Sequence, residues 1–213
     1  GPLLFIVVFL IEEATRPGYS AWRHFVSQLS LSGQGWEQAA NFIVCGVLCL
    51  AFAVGLRRTL AGGRGATWGP ILLGVFALSL ILAGIFSTGP ALGYPPGVSS
   101  HGPQTLHALI HGVCGLVAFT SLPAASFVLA RRFALDPAWR RWVAYSIITG
   151  VVVFASLIGS NVTSVLDMLG TVPNAPTGFI QRIGIIAGWS WIAILAFRLL
   201  RSAPPYSRTV VVP

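Results

Sequence analysis

Long apolar stretches separated by short polar segments dominate the chain. Their apolar residues run continuously instead of alternating, which is typical of membrane helices and not of barrel strands. Most of the stretches are near the ~20 residues that a helix needs to cross a bilayer. The pattern therefore predicts an all-α fold, a six-span transmembrane helical bundle. The expected spans are Pro2–Ala14, Ala39–Leu56, Trp68–Phe86, Gln104–Ala130, Trp139–Leu166 and Thr177–Leu200.

Composition agrees with a membrane domain. The 213 residues are 55% apolar and only 8% charged, whereas a soluble domain carries about 25% charged residues. We expect one bundle domain over residues 1–201 and a disordered cytoplasmic tail over 202–213. Glycines within the spans, such as Gly46 and Gly115, are expected to let neighbouring helices pack closely.

The distribution of arginine predicts the orientation of the bundle. Three connections or ends on one side carry most of the basic residues, namely Arg57, Arg58, Arg64, Arg131, Arg132, Arg140, Arg141, Arg198, Arg201 and Arg208. The opposite side carries only Arg16, Arg23 and Arg182. Positive charge marks the cytoplasmic side, so both termini are expected inside. The arginines lie at the ends of apolar stretches, which indicates a lipid bilayer as the partner and not nucleic acid.

The connections on the outward side are rich in chemistry-bearing residues. They are Thr15–Gln38, Ser87–Pro103 and Asp167–Pro176. The first is aromatic and includes Trp36, and the second is uncharged, rich in Gly and Pro, and includes Tyr94. Polar side chains are costly when left alone in lipid. The sequence therefore predicts an outward-facing polar cluster.

Histidine spacing suggests a site at the start of the fourth span. His107 and His111 are four residues apart and share one helix face, a spacing that helical metal sites use. His101, His24, Glu13 or Asp167 could supply a further ligand, but no complete motif such as HExxH is present. A satisfied polar pair facing other helices is the alternative, and we predict no metal.

Two ion pairs are expected near the outward ends. Arg16 follows Glu12 by four residues, the favourable order for a helical ion pair. Glu13 is less obviously paired, which makes it a candidate acid or base. Asp167 and Arg182 flank the last outward turn and are expected to close it.

Several short motifs recur in the order of a known family. They are Arg16-Pro17-Gly18-Tyr19-Ser20, Ser27-Gln28-Leu29, Gly33 to Trp36, Arg57-Arg58, Gly93-Tyr94-Pro95-Pro96, His101-Gly102, Leu106-His107, Arg131-Arg132 and Gln181-Arg182. Over nearly its whole length the chain resembles the bacterial six-helix membrane family called domain of unknown function 998. The resemblance implies a multi-pass protein of the bacterial plasma membrane and supplies no established activity.

Three functions remain open from the sequence. The first is binding of a lipid-like or small hydrophobic ligand in an outward-facing polar pocket, with His24, Trp36, Tyr94, His101 and Arg182 as candidate ligand-binding residues. The second is an enzyme acting on a lipid or isoprenoid, with Glu13, His107, His111 and Asp167 as candidate catalytic residues. The third is a small-molecule transporter. The sequence identifies no cofactor and no oligomeric state.

Overall fold

Six α-helices form the protein in the computed structural model, which describes residues 1–60, 62–98 and 105–202. They are α1 (Pro2–Thr15), α2 (Gly35–Thr59), α3 (Trp68–Ile85), α4 (Leu106–Phe133), α5 (Arg140–Met168) and α6 (Thr177–Ser202). Two short 3-10 helices, Val26–Ser30 and Pro137–Trp139, lie in the connections. These described ranges contain no strand, and the predicted all-α bundle is confirmed.

The helices follow one another around a closed ring. Each packs against the next helix in the chain, and α1 also packs against α6. Consecutive helices run in opposite directions, so their connections alternate between two ends. We call the end with the connections after α1, α3 and α5 the cap end, and the other the arginine end. The residues of the predicted polar cluster therefore lie at or near the cap end.

Five of the helices are long and apolar enough to cross a membrane. The exception is α1, which has 14 residues. Large apolar side chains cover the outer surface of the bundle, for example Leu78 and Val151, which are exposed by half or more of their area. Helices that are apolar on both the inner and the outer face are typical of proteins embedded in lipid. The fold is therefore that of a multi-pass membrane protein.

Aromatic rings fill the middle of the ring of helices. Phe5 of α1 stacks on Trp189 of α6 with a centroid distance of 4.6 Å, and Phe76 of α3 meets Trp189 edge-on at 5.5 Å. Phe42 of α2 contacts Phe5 at 5.4 Å. Such pairs contribute about 0.5–1.5 kcal/mol each beyond simple burial. The cluster thus joins four helices.

Candidate functional site

The connections at the cap end fold over the bundle and bond to one another. The buried Gln28 side chain accepts a hydrogen bond from the Phe25 N–H at 2.9 Å and donates one to the Ala91 carbonyl at 2.7 Å. The Trp22 indole donates to the Asn174 carbonyl at 3.0 Å. These bonds join the three outward connections, and we call the resulting layer, residues 16–34, 86–98 and 169–176, the cap.

Arg182, near the start of α6, binds α1 and the cap at once. Its guanidinium lies 2.7 Å from the Glu13 carboxylate and donates to the Tyr19 hydroxyl, also at 2.7 Å. It donates further to the carbonyls of His24 (3.1 Å) and Gly178 (2.9 Å). Each guanidinium nitrogen therefore has a partner. Glu13, one of the candidate catalytic residues, is the counter-ion of this arginine.

The prediction that Asp167 pairs with Arg182 is wrong. Asp167, at the end of α5, accepts two hydrogen bonds from Arg23 of the cap, at 2.7 and 2.8 Å. The partners differ from the prediction because α1 packs beside α6, which brings Glu13 to Arg182. In the same way, the cap brings Arg23 to the end of α5, where Asp167 lies. Both carboxylates are therefore neutralised by arginines distant in sequence.

The local pair of Glu12 with Arg16 is confirmed. The two side chains lie 3.8 Å apart and both are buried. Arg16 also lies 3.3 Å from Glu37 and donates to the Ser32 hydroxyl at 3.2 Å. This arginine therefore fixes the first connection against the start of α2, as expected for a structural anchor.

His24 and Tyr94 lie together inside the cap. The His24 ring centre is 5.3 Å from that of Tyr19 and 5.2 Å from that of Tyr94. Its Nδ1 accepts from the Ser20 N–H at 3.0 Å, so in the neutral ring Nε2 carries the proton and donates to the Leu92 carbonyl at 3.2 Å. Burial lowers the pKa of His24 and raises that of Tyr19. These contacts indicate that His24 stabilises the packing of the cap.

The two histidines of α4 share a face but not an environment. Both contact Phe86, His107 by its ring at 5.3 Å and His111 through a hydrogen bond of 2.8 Å to the carbonyl. His107 is exposed, whereas His111 is buried and also bonds to the Ala83 carbonyl at 3.0 Å. The predicted common face is confirmed.

Two candidates remain, and the structure describes one of them. Trp36 is 68% exposed at the start of α2, and His101 falls outside the described residues. Within the part of the chain that the structure describes, no contact joins His107 to Glu13, His24 or Asp167, and no group of three His, Cys, Asp or Glu residues could hold a metal. The catalytic and ligand-binding assignments of these residues stay predictions.

A cavity of about 750 Å³ lies beneath the cap, inside the half of the bundle nearest to it. Its walls come from every helix of the ring and are mainly apolar, with Phe5 and Trp189 at its base. Polar lining side chains are few and uncharged, namely Ser27, Ser79, Thr88, Thr120, Ser160, Asn161, Gln181 and His111. No Asp, Glu, Lys or Arg lines it within residues 1–60, 62–98 and 105–202.

The cavity opens sideways between α4 and α5. These helices touch near the arginine end, where a Cβ on Gly150 would lie only 2.5 Å from the Ser126 hydroxyl. Nearer the cap both helices line the cavity with side chains that are also exposed, such as Leu116 (55%) and Ile158 (52%). The opening therefore lies on the apolar outer surface of the bundle.

The expected role of glycine in close packing holds for some positions and not for others. A Cβ on Gly46 would lie 2.9 Å from the Ala77 carbonyl, so α2 and α3 pack closely there. Gly112 and Gly115 line the cavity and have no neighbour within 4 Å of a Cβ position. For these two the prediction of close packing is wrong, because α5 lies farther away at this level.

Of the nine candidate residues, His111 alone lines the cavity among those that the structure describes. Sequence reasoning missed the other polar lining residues, including Ser79, Asn161 and Gln181. The available signal was weak: each is an uncharged polar residue within or at the start of an apolar span. The candidates chosen for their charge, Glu13, Asp167 and Arg182, lie at the ends of helices next to the cap and not in the cavity lining.

Fold and cavity together define a multi-pass helical-bundle membrane protein with an internal apolar cavity. Residues 1–198 match the family model described as "Protein of unknown function (DUF998)". The chain belongs to this family, and the resemblance seen in its motifs is confirmed. No curated protein and no solved structure gives a match.

Proposed function

We propose that the protein binds a lipid-like or small hydrophobic ligand in the cavity beneath the cap. The observation that carries this proposal is the apolar cavity of about 750 Å³ with an opening between α4 and α5. Small-molecule sites in proteins are typically ≈ 300–1,000 Å³, largely apolar and equipped with a few polar groups. The size and lining of this cavity fall within that description.

The proposed entry route is lateral, from the bilayer. The cap is held by two partly buried arginine–carboxylate pairs and by side-chain hydrogen bonds to backbone carbonyls, so passage through it requires breaking charged contacts. Between α4 and α5, a ligand meets only apolar or uncharged lining residues such as Leu116, Phe154 and Ile158. A ligand already dissolved in lipid enters there without exposure to water. In this proposal the cap faces outward from a bacterial plasma membrane, the orientation that the arginine distribution favours.

Binding has more support than catalysis or transport. Glu13 and Asp167 neutralise Arg182 and Arg23, so they are not free for acid or base work. Of the four candidate catalytic residues only His111 lines the cavity. For transport, the described lining offers no ionisable carboxylate to couple an ion to a substrate.

Photolabelling with an apolar diazirine-bearing lipid tests the proposal. We expect saturable labelling of α4, α5 and α6 in the wild-type chain in nanodiscs. Gly115→Trp fills the cavity and should reduce this labelling by about tenfold, as expected when roughly 1.4 kcal/mol of binding is lost. The matched control is Gly55→Trp on α2, where a side chain also meets open space but lies away from the cavity.

Melting curves must show that both variants remain folded. Labelling that is not saturable in the wild type, or that a folded Gly115→Trp chain retains in full, contradicts binding in this cavity.

A further inference from the structure

Several polar side chains of the cavity lining donate a proton to a carbonyl of their own helix, which leaves oxygen lone pairs as acceptors. The Ser79 hydroxyl donates its proton to the Val75 carbonyl at 2.9 Å, and the Thr120 hydroxyl donates to the Leu116 carbonyl at 2.8 Å. The Asn161 amide donates to the Leu157 carbonyl at 2.8 Å. The two hydroxyls have used their only proton on their own helix and can offer an occupant an oxygen lone pair, whereas the Asn161 amide keeps a second N–H besides its oxygen.

His111 supplies the least satisfied of these acceptors. Its Nδ1 lies 3.0 Å from the Ala83 carbonyl and 2.8 Å from the Phe86 carbonyl. Because carbonyls only accept, Nδ1 must carry a proton, and the neutral ring then has its lone pair on Nε2. No residue in the described ranges bonds to Nε2. An imidazolium here would lack a counter-ion among the described residues, which favours the neutral ring.

The same lining is unfavourable for an anionic head group. A phosphate or carboxylate brings further lone pairs and requires cations or several donors. The nearby arginines are already paired in the cap, Arg182 with Glu13 and Arg23 with Asp167. The two amides are exceptions among the lining residues. Asn161 keeps one N–H, and the Gln181 oxygen accepts from the Val26 N–H at 2.9 Å, which leaves its neutral N–H groups as donors. A hydroxyl suits this lining because it donates and accepts without charge.

We propose that the cavity selects an uncharged amphiphile, an apolar chain bearing a hydroxyl group, whose O–H donates a hydrogen bond to Nε2 of His111. This inference rests on the proposed binding function and adds the chemical class of the ligand. Long-chain alcohols and other neutral hydroxyl lipids belong to that class. Phospholipids and fatty-acid anions do not.

A series of ligands with one common chain tests the selection in the wild-type protein. Hexadecanol, its methyl ether, hexadecane and hexadecyl phosphate compete with the apolar photolabel at equal mole fraction in nanodiscs. The ether keeps the oxygen but has no proton to donate. We expect hexadecanol to compete about tenfold better than the ether or the alkane, the effect of one added hydrogen bond of roughly 1.4 kcal/mol. Hexadecyl phosphate should compete least.

Equal competition by hexadecanol and its ether, or stronger competition by the phosphate, overturns the selection. If hexadecane still competes with the photolabel, and Gly115→Trp abolishes that competition, the binding function itself holds. Loss of all competition would count against that function instead. The two failures are therefore distinguishable.

Variants of the two neighbouring histidines assign the contact. His111→Phe should remove the preference for hexadecanol over its ether while alkane competition remains. His107→Phe, one turn away and exposed, is the matched control and should keep the preference. If His111→Phe does not fold, His111→Gln is the substitute variant. Its amide can still donate to the carbonyls of Ala83 and Phe86 and offers an oxygen as acceptor. It should keep part of the preference for hexadecanol. An unchanged preference in folded His111→Phe overturns the assignment.

Discussion

Replacing Arg182 by methionine tests whether the buried ion pair holds the cap to the bundle. The Arg182 side chain is 8% exposed and the Glu13 side chain 15% exposed, and their charged groups lie 2.7 Å apart. Arg182→Met leaves Glu13 without a cation and removes a donor from the Tyr19 hydroxyl and from the carbonyls of His24 and Gly178. Removing one partner of a buried pair costs about 3–5 kcal/mol, and we expect a destabilisation of that size.

The double variant Glu13→Gln/Arg182→Met separates the ion pair from the other contacts of Arg182. With the carboxylate also neutral, the uncompensated charge is gone, and the double variant should be more stable than Arg182→Met alone. The coupling between the two positions should be at least ~1 kcal/mol, as measured for residues that share a polar network.

Reversible unfolding in bicelles, measured for the wild type, both single variants and the double variant, gives this coupling energy. Arg58→Gln, an exposed arginine at the other end, is the control and should change stability by no more than about 0.5 kcal/mol. A coupling energy of zero within error would refute the reasoning, because the two side chains would then act independently.

Two further predictions concern pH and orientation. Burial lowers the pKa of His24 in the folded protein, so the unfolded chain binds a proton more readily than the folded one. The free energy of unfolding should therefore be highest above the ordinary histidine pKa of 6.5 and decline as the pH falls below it. Melting temperatures in detergent from about pH 7.5 to about pH 5.5 should show this decline. His24→Gln should make the decline smaller, and an unchanged dependence of melting temperature on pH in that variant would contradict the assignment to His24. In a chain without its native cysteines, Thr171→Cys should react with an impermeant thiol reagent from outside and Thr67→Cys only from the cytoplasm; the reverse pattern contradicts the N-in/C-in orientation.

The helices could be predicted because the signal that specifies them is local. A continuous apolar stretch long enough to cross a bilayer has few alternatives to a helix. The largest difference among the described boundaries is at α2, which begins at Gly35 and not at Ala39. The first turn of this helix includes Glu37 and precedes the apolar stretch, so the apolar pattern does not reveal it.

Partners distant in the chain could not be predicted in the same way. Glu12 and Arg16 are one helical turn apart, and their pairing was evident from spacing. Arg182 had Asp167 nearby in sequence, but its partner is Glu13, 169 positions away. Spacing gives no information on which helix closes the ring, and that arrangement decides both long-range pairs.

The cavity was the least predictable feature. Gly46 and Gly115 are alike in the sequence, each a glycine within an apolar span. One permits close contact between α2 and α3, whereas the other borders open space. The difference depends on the separation of α4 and α5, which is a property of the packed bundle and not of any local pattern.

The closure of the ring through α1 and α6 has a consequence for how the protein is made. Of the six helices α1 is synthesised first and α6 last. Arg16 is available to Glu12 as soon as the first connection emerges, but Glu13 must wait until α6 carries Arg182 to it. During biogenesis an unpaired carboxylate therefore sits at the cap end of α1 until the last helix inserts. Insertion of α6 neutralises that charge and fixes the cap in the same step, which couples insertion of this helix to closure of the bundle.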